Sequence, residues 1–182
     1  MKRNRRLLPV LLSMVLAAGV AGVMGAPADA SAVRHSAAAA TVKNPNKDPF
    51  YRYTGHKPLR KIKPGTVLKQ RTVSLHLSGL TIPVKTVQLL YRTVNEQKRP
   101  AVSVTTVVAP LGNTKRVVAY LSFYDALGAQ CDPSYTLRGG DAGTKANNQE
   151  AMIESGLVSA LAVQGTVVTV PDFEGEALHW VA

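Results

Sequence analysis

Two short apolar runs, Val117–Phe123 and Thr166–Val170, flank a stretch with helical spacing, and this pattern restricts the possible folds more than any other feature of the chain. Continuous apolar runs of this length suit strands buried on both faces of a sheet, and Val117–Phe123 is expected to be such a central strand. In the stretch between them, Asn147 or Asn148 is placed to cap a helix, and Glu150 falls in its first turn, where the helix dipole favours an acid. Ile153, Leu157, Ala160 and Leu161 recur at i, i+4, i+7 and i+8 and predict one apolar stripe facing the core. Gly156 on the same side permits close approach to a sheet, and Gly165 suits a left-handed stop. Strand, helix and strand together read as a βαβ unit, whose crossover is right-handed in nearly all known cases.

Upstream the texture differs. Thr66–Leu77 is β-branched and roughly alternating, bounded by Gly79 and Pro83. Val84–Val94 follows, with Val87, Leu89, Tyr91 and Thr93 on one side. Asn95–Pro100 is a polar turn, and Ala101–Pro110 a third strand. Such spacing predicts an antiparallel meander. The fold class expected is therefore α/β: a strand meander leading into a βαβ unit of one mixed sheet.

The chain has 182 residues, 46% of them hydrophobic and 18% charged, which suits one domain or part of a larger one and argues against wholesale disorder. Lys2, Arg3, Arg5 and Arg6 precede an apolar run from Leu7 to Val23. Ala28-Asp29-Ala30 and Ala30-Ser31-Ala32 then fit an A-x-A cleavage site, so residues 1–32 have the layout of a secretory signal peptide and imply export. Residues 33–47 lack periodicity and are expected to form a mobile arm, with residues 48–182 forming the folded part. Asp48-Pro49-Phe50-Tyr51 and Tyr53 bring a burst of aromatics expected to dock on the body. The formal net charge of +11 becomes +8 without residues 1–32, since four basic residues and Asp29 leave. These charges are scattered, with one modest cluster at Arg60-Lys61-Ile62-Lys63 and no interleaved aromatics, which points away from nucleic-acid binding and towards a solvated surface.

No Gly-x-Ser-x-Gly occurs in the sequence, no pair of histidines has metal-ligand spacing, and Gly139-Gly140 lacks the lysine and serine of a phosphate loop. Neither cofactor nor metal is implied. His76 reads as a polar-face strand residue. What remains is the loop after Val117–Phe123, since ligands in open α/β folds bind at loops leaving the carboxyl ends of strands. It carries Asp125 and then Cys131-Asp132-Pro133-Ser134-Tyr135. An acid in such a loop commonly serves the local backbone of a turn. Cys131 is the only cysteine in the sequence; in an exported chain it is a free thiol, an intermolecular partner, or half of a disulfide whose mate lies elsewhere. Pro171-Asp172-Phe173-Glu174-Gly175 reads as a turn and helix start.

Five segments in order carry a likeness: Asp48-Pro49-Phe50-Tyr51, Gln88-Leu89-Leu90-Tyr91-Arg92-Thr93, Tyr124-Asp125, Cys131-Asp132-Pro133-Ser134-Tyr135 and Pro171-Asp172-Phe173-Glu174-Gly175. Together they resemble the N-terminal part of the secretory lipase family, that of Candida lipase A and its actinobacterial relatives. The resemblance implies the N-terminal half of an α/β-hydrolase fold and hydrolysis of triacylglycerols and simpler esters at a lipid–water interface. It implies that Asp125 belongs to the oxyanion hole and that Cys131 forms a disulfide with a later cysteine. It also implies that the nucleophile, acid and histidine of the triad belong to a downstream segment needed for activity, as does one neighbour of the strand Val117–Phe123, so that this chain alone is expected to be inactive and, with an unpaired apolar edge, poorly soluble. In α/β-hydrolases one oxyanion donor comes from the loop after the third strand, which is where Asp125 falls if Val117–Phe123 is that strand. Two other functions fit the sequence: a non-catalytic basic exported protein that binds cell envelope or anionic lipid, and another α/β-hydrolase chemistry such as peptidase or acyltransferase action.

Overall fold

The computed structural model describes residues 42–114, 116–123 and 128–173. The expected signal peptide, Asp125, Glu174 and Gly175 lie outside the described residues. Within them, β1 (Val67–Leu77), β2 (Leu80–Val94), β3 (Pro100–Ala109), β4 (Arg116–Ala119) and β5 (Thr166–Pro171) form one sheet in the order β1-β2-β3-β5-β4. The first three strands are an antiparallel meander, β5 lies antiparallel to β3, and β4 lies parallel to β5. This is the mixed sheet expected from the sequence.

The first hairpin is tighter than its punctuation suggests. Ser78 and Gly79 both have positive φ, 51° and 78°, and connect paired Leu77 and Leu80. A two-residue turn with both centres left-handed matches the twist of the flanking strands. Pro83, expected to bound a strand, lies inside β2, where the register shifts between Val73 and Leu75 of β1. A bulge is where a strand tolerates a residue without an N–H.

A long helix, α2 (Lys145–Val163), packs on one sheet face, and a short helix, α1 (Pro133–Thr136), precedes it. The cap of α2 is Thr144, whose hydroxyl accepts the Asn147 N–H at 3.1 Å, so neither Asn147 nor Asn148 caps it and Glu150 falls beyond the first turn. Gly165 does end the helix region with φ of 93°. The apolar stripe is also corrected. The buried face is Ala151, Glu154, Ser155, Val158, Ser159 and Ala162, while Ile153 and Leu157 are 49% and 46% exposed. Of the expected stripe, Leu161 alone packs against the core. Small side chains let the helix approach the sheet, where Leu75, Val108, Leu137, Val158, Ala162, Val168 and Val170 form the main core. The opposite sheet face is half-buried: Leu89, Tyr91, Thr105 and Thr169 line a shallow groove there of about 290 Å³.

The apolar run Val117–Phe123 is longer than the strand it forms. Only Arg116–Ala119 is extended in the sheet, β4 pairs with β5 alone among the described strands, and Val117 is 71% exposed. The crossover returns β5 to the inner side of β4, between it and β3, where Val168 and Val170 are buried and Val167 and Thr169 are half-buried on the other face. The aromatics of the entry segment divide: Tyr51 is buried against Leu90 and Val104, whereas Tyr53 turns back to donate to the Lys57 carbonyl. Just before them, Pro45–Lys47 forms a 3-10 turn capped by Asn44, with Pro45 buried.

Candidate functional site

The two parallel strands end side by side, since Ala119 of β4 pairs with Thr169 of β5. The loop leaving β4 and the segment leaving β5 therefore start together, and one serine joins them. Ser134 donates its N–H to Asp172 Oδ1 at 2.8 Å and its hydroxyl to Asp172 Oδ2 at 2.6 Å. With that hydroxyl proton committed, Tyr51 must be the donor to Ser134 Oγ, at 2.8 Å. Gln88 Nε2 donates to the Ser134 carbonyl and to Thr106 Oγ1. Asp172 is itself held to β3: its N–H donates to the Val104 carbonyl, and Ser103 Oγ donates to its carbonyl. Ser134 and Asp172, from two segments separate in sequence, thus share one buried polar cluster. Burial and the negative charge of Asp172 push the Tyr51 phenol well above its usual range, which keeps it a donor.

A second polar cluster braces this one from outside. Asp48 accepts from Arg71 Nη1 at 2.6 Å and from Arg138 Nη2 at 3.2 Å. Arg71 also donates to Gln88 Oε1 at 2.8 Å and stacks 4.0 Å over the Phe50 ring. Burial of Asp48 opposes its ionisation. The hydrogen bonds from Arg71 and the Phe50 N–H, with the Arg71 and Arg138 charges, outweigh that and hold its carboxyl below the usual value.

Asp125 itself lies outside the described residues, but both flanks of its segment are placed. On the upstream side, Ser122 Oγ donates to both carboxylate oxygens of Glu154, at 2.9 and 2.8 Å, and the Phe123 N–H donates to Oε1 at 2.9 Å. On the downstream side Gly128 opens a 3-10 turn, Ala129–Cys131, and accepts the Cys131 N–H at 2.7 Å. Cys131 is buried with Ala142 and Ala151, and Asn147 Nδ2 donates towards its sulfur at 3.6 Å. His76 is half-buried and paired with Thr81 through Nε2, and its backbone N–H donates to the Leu137 carbonyl.

Sequence reasoning singled out Asp125 and Cys131 and passed over Glu154, Ser134 and Asp172. Glu154 did leave a signal: it is the one charged residue in the stretch 151–163, on a helix otherwise made of small and apolar residues. The Ser134–Asp172 tie left none, because the residues are 38 apart and each alone reads as a turn residue.

A mixed sheet of this order, with loops gathered at the carboxyl ends of its parallel strands and a helix on one face, is the N-terminal half of an α/β-hydrolase fold. Sequence and structure agree: the chain matches an N-terminal portion of secretory lipases of the Candida lipase A type. It is 39% identical to the "probable inactive lipase" of Mycobacterium tuberculosis over 142 residues, 75% of this chain and 30% of that protein. It is 32% identical to a secreted triacylglycerol lipase of Malassezia furfur over 166 residues, 88% of this chain and 34% of that protein. The X-ray structure of Candida antarctica lipase A in its closed state is similar with a TM-score of 0.59 and 26% identity, covering 73% of this chain and 30% of that one. No protein-family model matches the chain. The chain spans about 30% of the length of the curated relatives it matches.

Proposed function

We propose that this chain is the oxyanion-side portion of an exported lipid-ester hydrolase. The observation that carries the reading is where the two described flanks lie: residues 120–123 leave β4 at the carboxyl end of the parallel pair, and Ser134, beyond the second flank, is tied to the segment leaving β5. That is where α/β-hydrolases place the donor loop that follows their third strand. Asp125 sits in that loop. An ionised carboxylate would repel a developing oxyanion, so on this reading the backbone N–H at Asp125 donates, or the side chain is held protonated. No residue of the sequence is assigned as nucleophile or general base. Those groups belong, on this reading, to the part of the relatives' length that this chain does not span, and acyl transfer without an activated serine loses most of its rate. Residues 1–32 direct export, and the substrate is a lipid or smaller ester met at a lipid–water interface.

The test is a chimera in which residues 48–182 replace the corresponding portion of Candida antarctica lipase A. The chimera is expected to hydrolyse p-nitrophenyl esters, while the chain alone shows no turnover. Asp125→Ala in the chimera is expected to lower kcat about a hundredfold or more. An unchanged kcat refutes the assignment of Asp125.

A further inference from the structure

Glu154 is an expensive residue for its position. It is 3% exposed, it sits on the sheet-facing side of α2, and among the described residues the ion pairs all belong to Asp48. A carboxylate buried without a cation is tolerated only when neutral donors satisfy it. Here three residues do so: Ser122 through Oγ, Phe123 through its N–H, and Tyr120, whose hydroxyl stands 3.4 Å from Oε1. All three lie on the chain just after β4. Neither the helix nor the core asks for an acid here, since an apolar side chain would pack in the same place without the polar cost.

The donors explain what the acid achieves. The ladder between β4 and β5 ends with the Tyr120 N–H donating to the Thr169 carbonyl at 2.9 Å. Beyond that the chain leaves the sheet, and a buried N–H without a partner is costly. Glu154 takes over as acceptor at Phe123, two residues before Asp125. Its bonds to Ser122 and Phe123 are charge-assisted and so about twice as strong as neutral ones.

We propose that Glu154 is a positioning residue for the segment that leads to Asp125: by gathering Ser122 Oγ and the Phe123 N–H it fixes the direction in which residues 120–123 leave β4. Its consequence for catalysis rests on the oxyanion-hole reading given above; the anchoring does not. Burial and the neighbouring Glu154 carboxylate push the Tyr120 phenol up to about 12.

Hydrogen–deuterium exchange on the full chain, at micromolar concentration, tests the anchoring. In Glu154→Ala, exchange in residues 120–128 is expected to rise about tenfold or more, as loss of a charged acceptor allows, while residues 101–109 of β3 keep their protection. Glu154→Gln retains one oxygen acceptor and is expected to fall between. If 120–128 exchanges as in the unmutated chain in both variants, the positioning role is overturned; if β3 loses protection equally in both, the residue merely supports the whole core and the proposal also falls. In the chimera, Glu154→Ala is expected to lower kcat with KM little changed, and Glu154→Gln to recover part of the loss. Should Asp125→Ala leave kcat unchanged while 120–128 still loosens in Glu154→Ala, the oxyanion reading fails and the anchoring stands.

Discussion

Ser134 concentrates more of the structure than its size suggests. It satisfies both oxygens of Asp172, receives the Tyr51 hydroxyl and offers its carbonyl to Gln88, so four segments meet at one residue. Ser134→Ala is expected to cost about 1.5–3 kcal/mol, the range for losing a buried hydrogen bond to a charged group. Urea denaturation followed by circular dichroism measures it, and a loss below half a kilocalorie would show the cluster to be dispensable. Asp48 gives a pH prediction. Its carboxyl is held below the ordinary aspartate range in the folded state, so its contribution to stability is present above that ordinary range and is lost as pH falls through the lower folded value. Asp48→Asn is therefore expected to be less stable than the unmutated chain at neutral pH. The gap closes in strong acid, as the two midpoints measured from pH 7 down to about pH 2 will show.

At the scale of elements, α2 shows its character in the side chains it buries. Val158 is fully buried, whereas its neighbour Leu157 is 46% exposed. Val158→Ala is expected to cost about 2 kcal/mol, the value of burying such a side chain, and Leu157→Ala less than about 0.5 kcal/mol. The opposite ranking in thermal or urea unfolding would restore the stripe expected from spacing alone. That expectation failed for a physical reason. Periodicity finds where large apolar residues recur, but a helix lying close on a sheet buries its small ones, and Ala151, Ser155, Ser159 and Ala162 carry little hydropathy signal. The strands were easier to read: alternation in β2 put Val87, Leu89, Tyr91 and Thr93 on one side, and the buried residues Thr86, Gln88, Leu90 and Arg92 occupy the other. The short turn at Ser78-Gly79 is open to improvement. Ser78 has φ of 51°, where an L side chain other than Asn or Asp is disfavoured, so Ser78→Asn is expected to raise stability by a few tenths of a kcal/mol, readable as a higher Tm.

For the whole molecule, the outer side of β4 matters most. Val117, Leu121 and Phe123 are 71%, 63% and 64% exposed, beside a strand edge that no described strand covers. An exposed apolar edge is a template for pairing with other chains. The chain alone is expected to self-associate above micromolar concentration, and Val117→Lys to reduce that association in sedimentation velocity without lowering Tm. A monodisperse monomer at high concentration would count against this. The sequence by itself determined the five strands, the long helix, the meander, the mixed sheet and the family likeness, because each is read from local spacing or from short segments taken in order. Only the tertiary structure decided that the crossover sets β5 between β4 and β3, which face α2 buries, and that Ser134 meets Asp172 and Glu154 meets Phe123. Those outcomes depend on which strand the crossover sets against β3 and on hydrogen bonds between residues more than thirty positions apart, which no local pattern encodes.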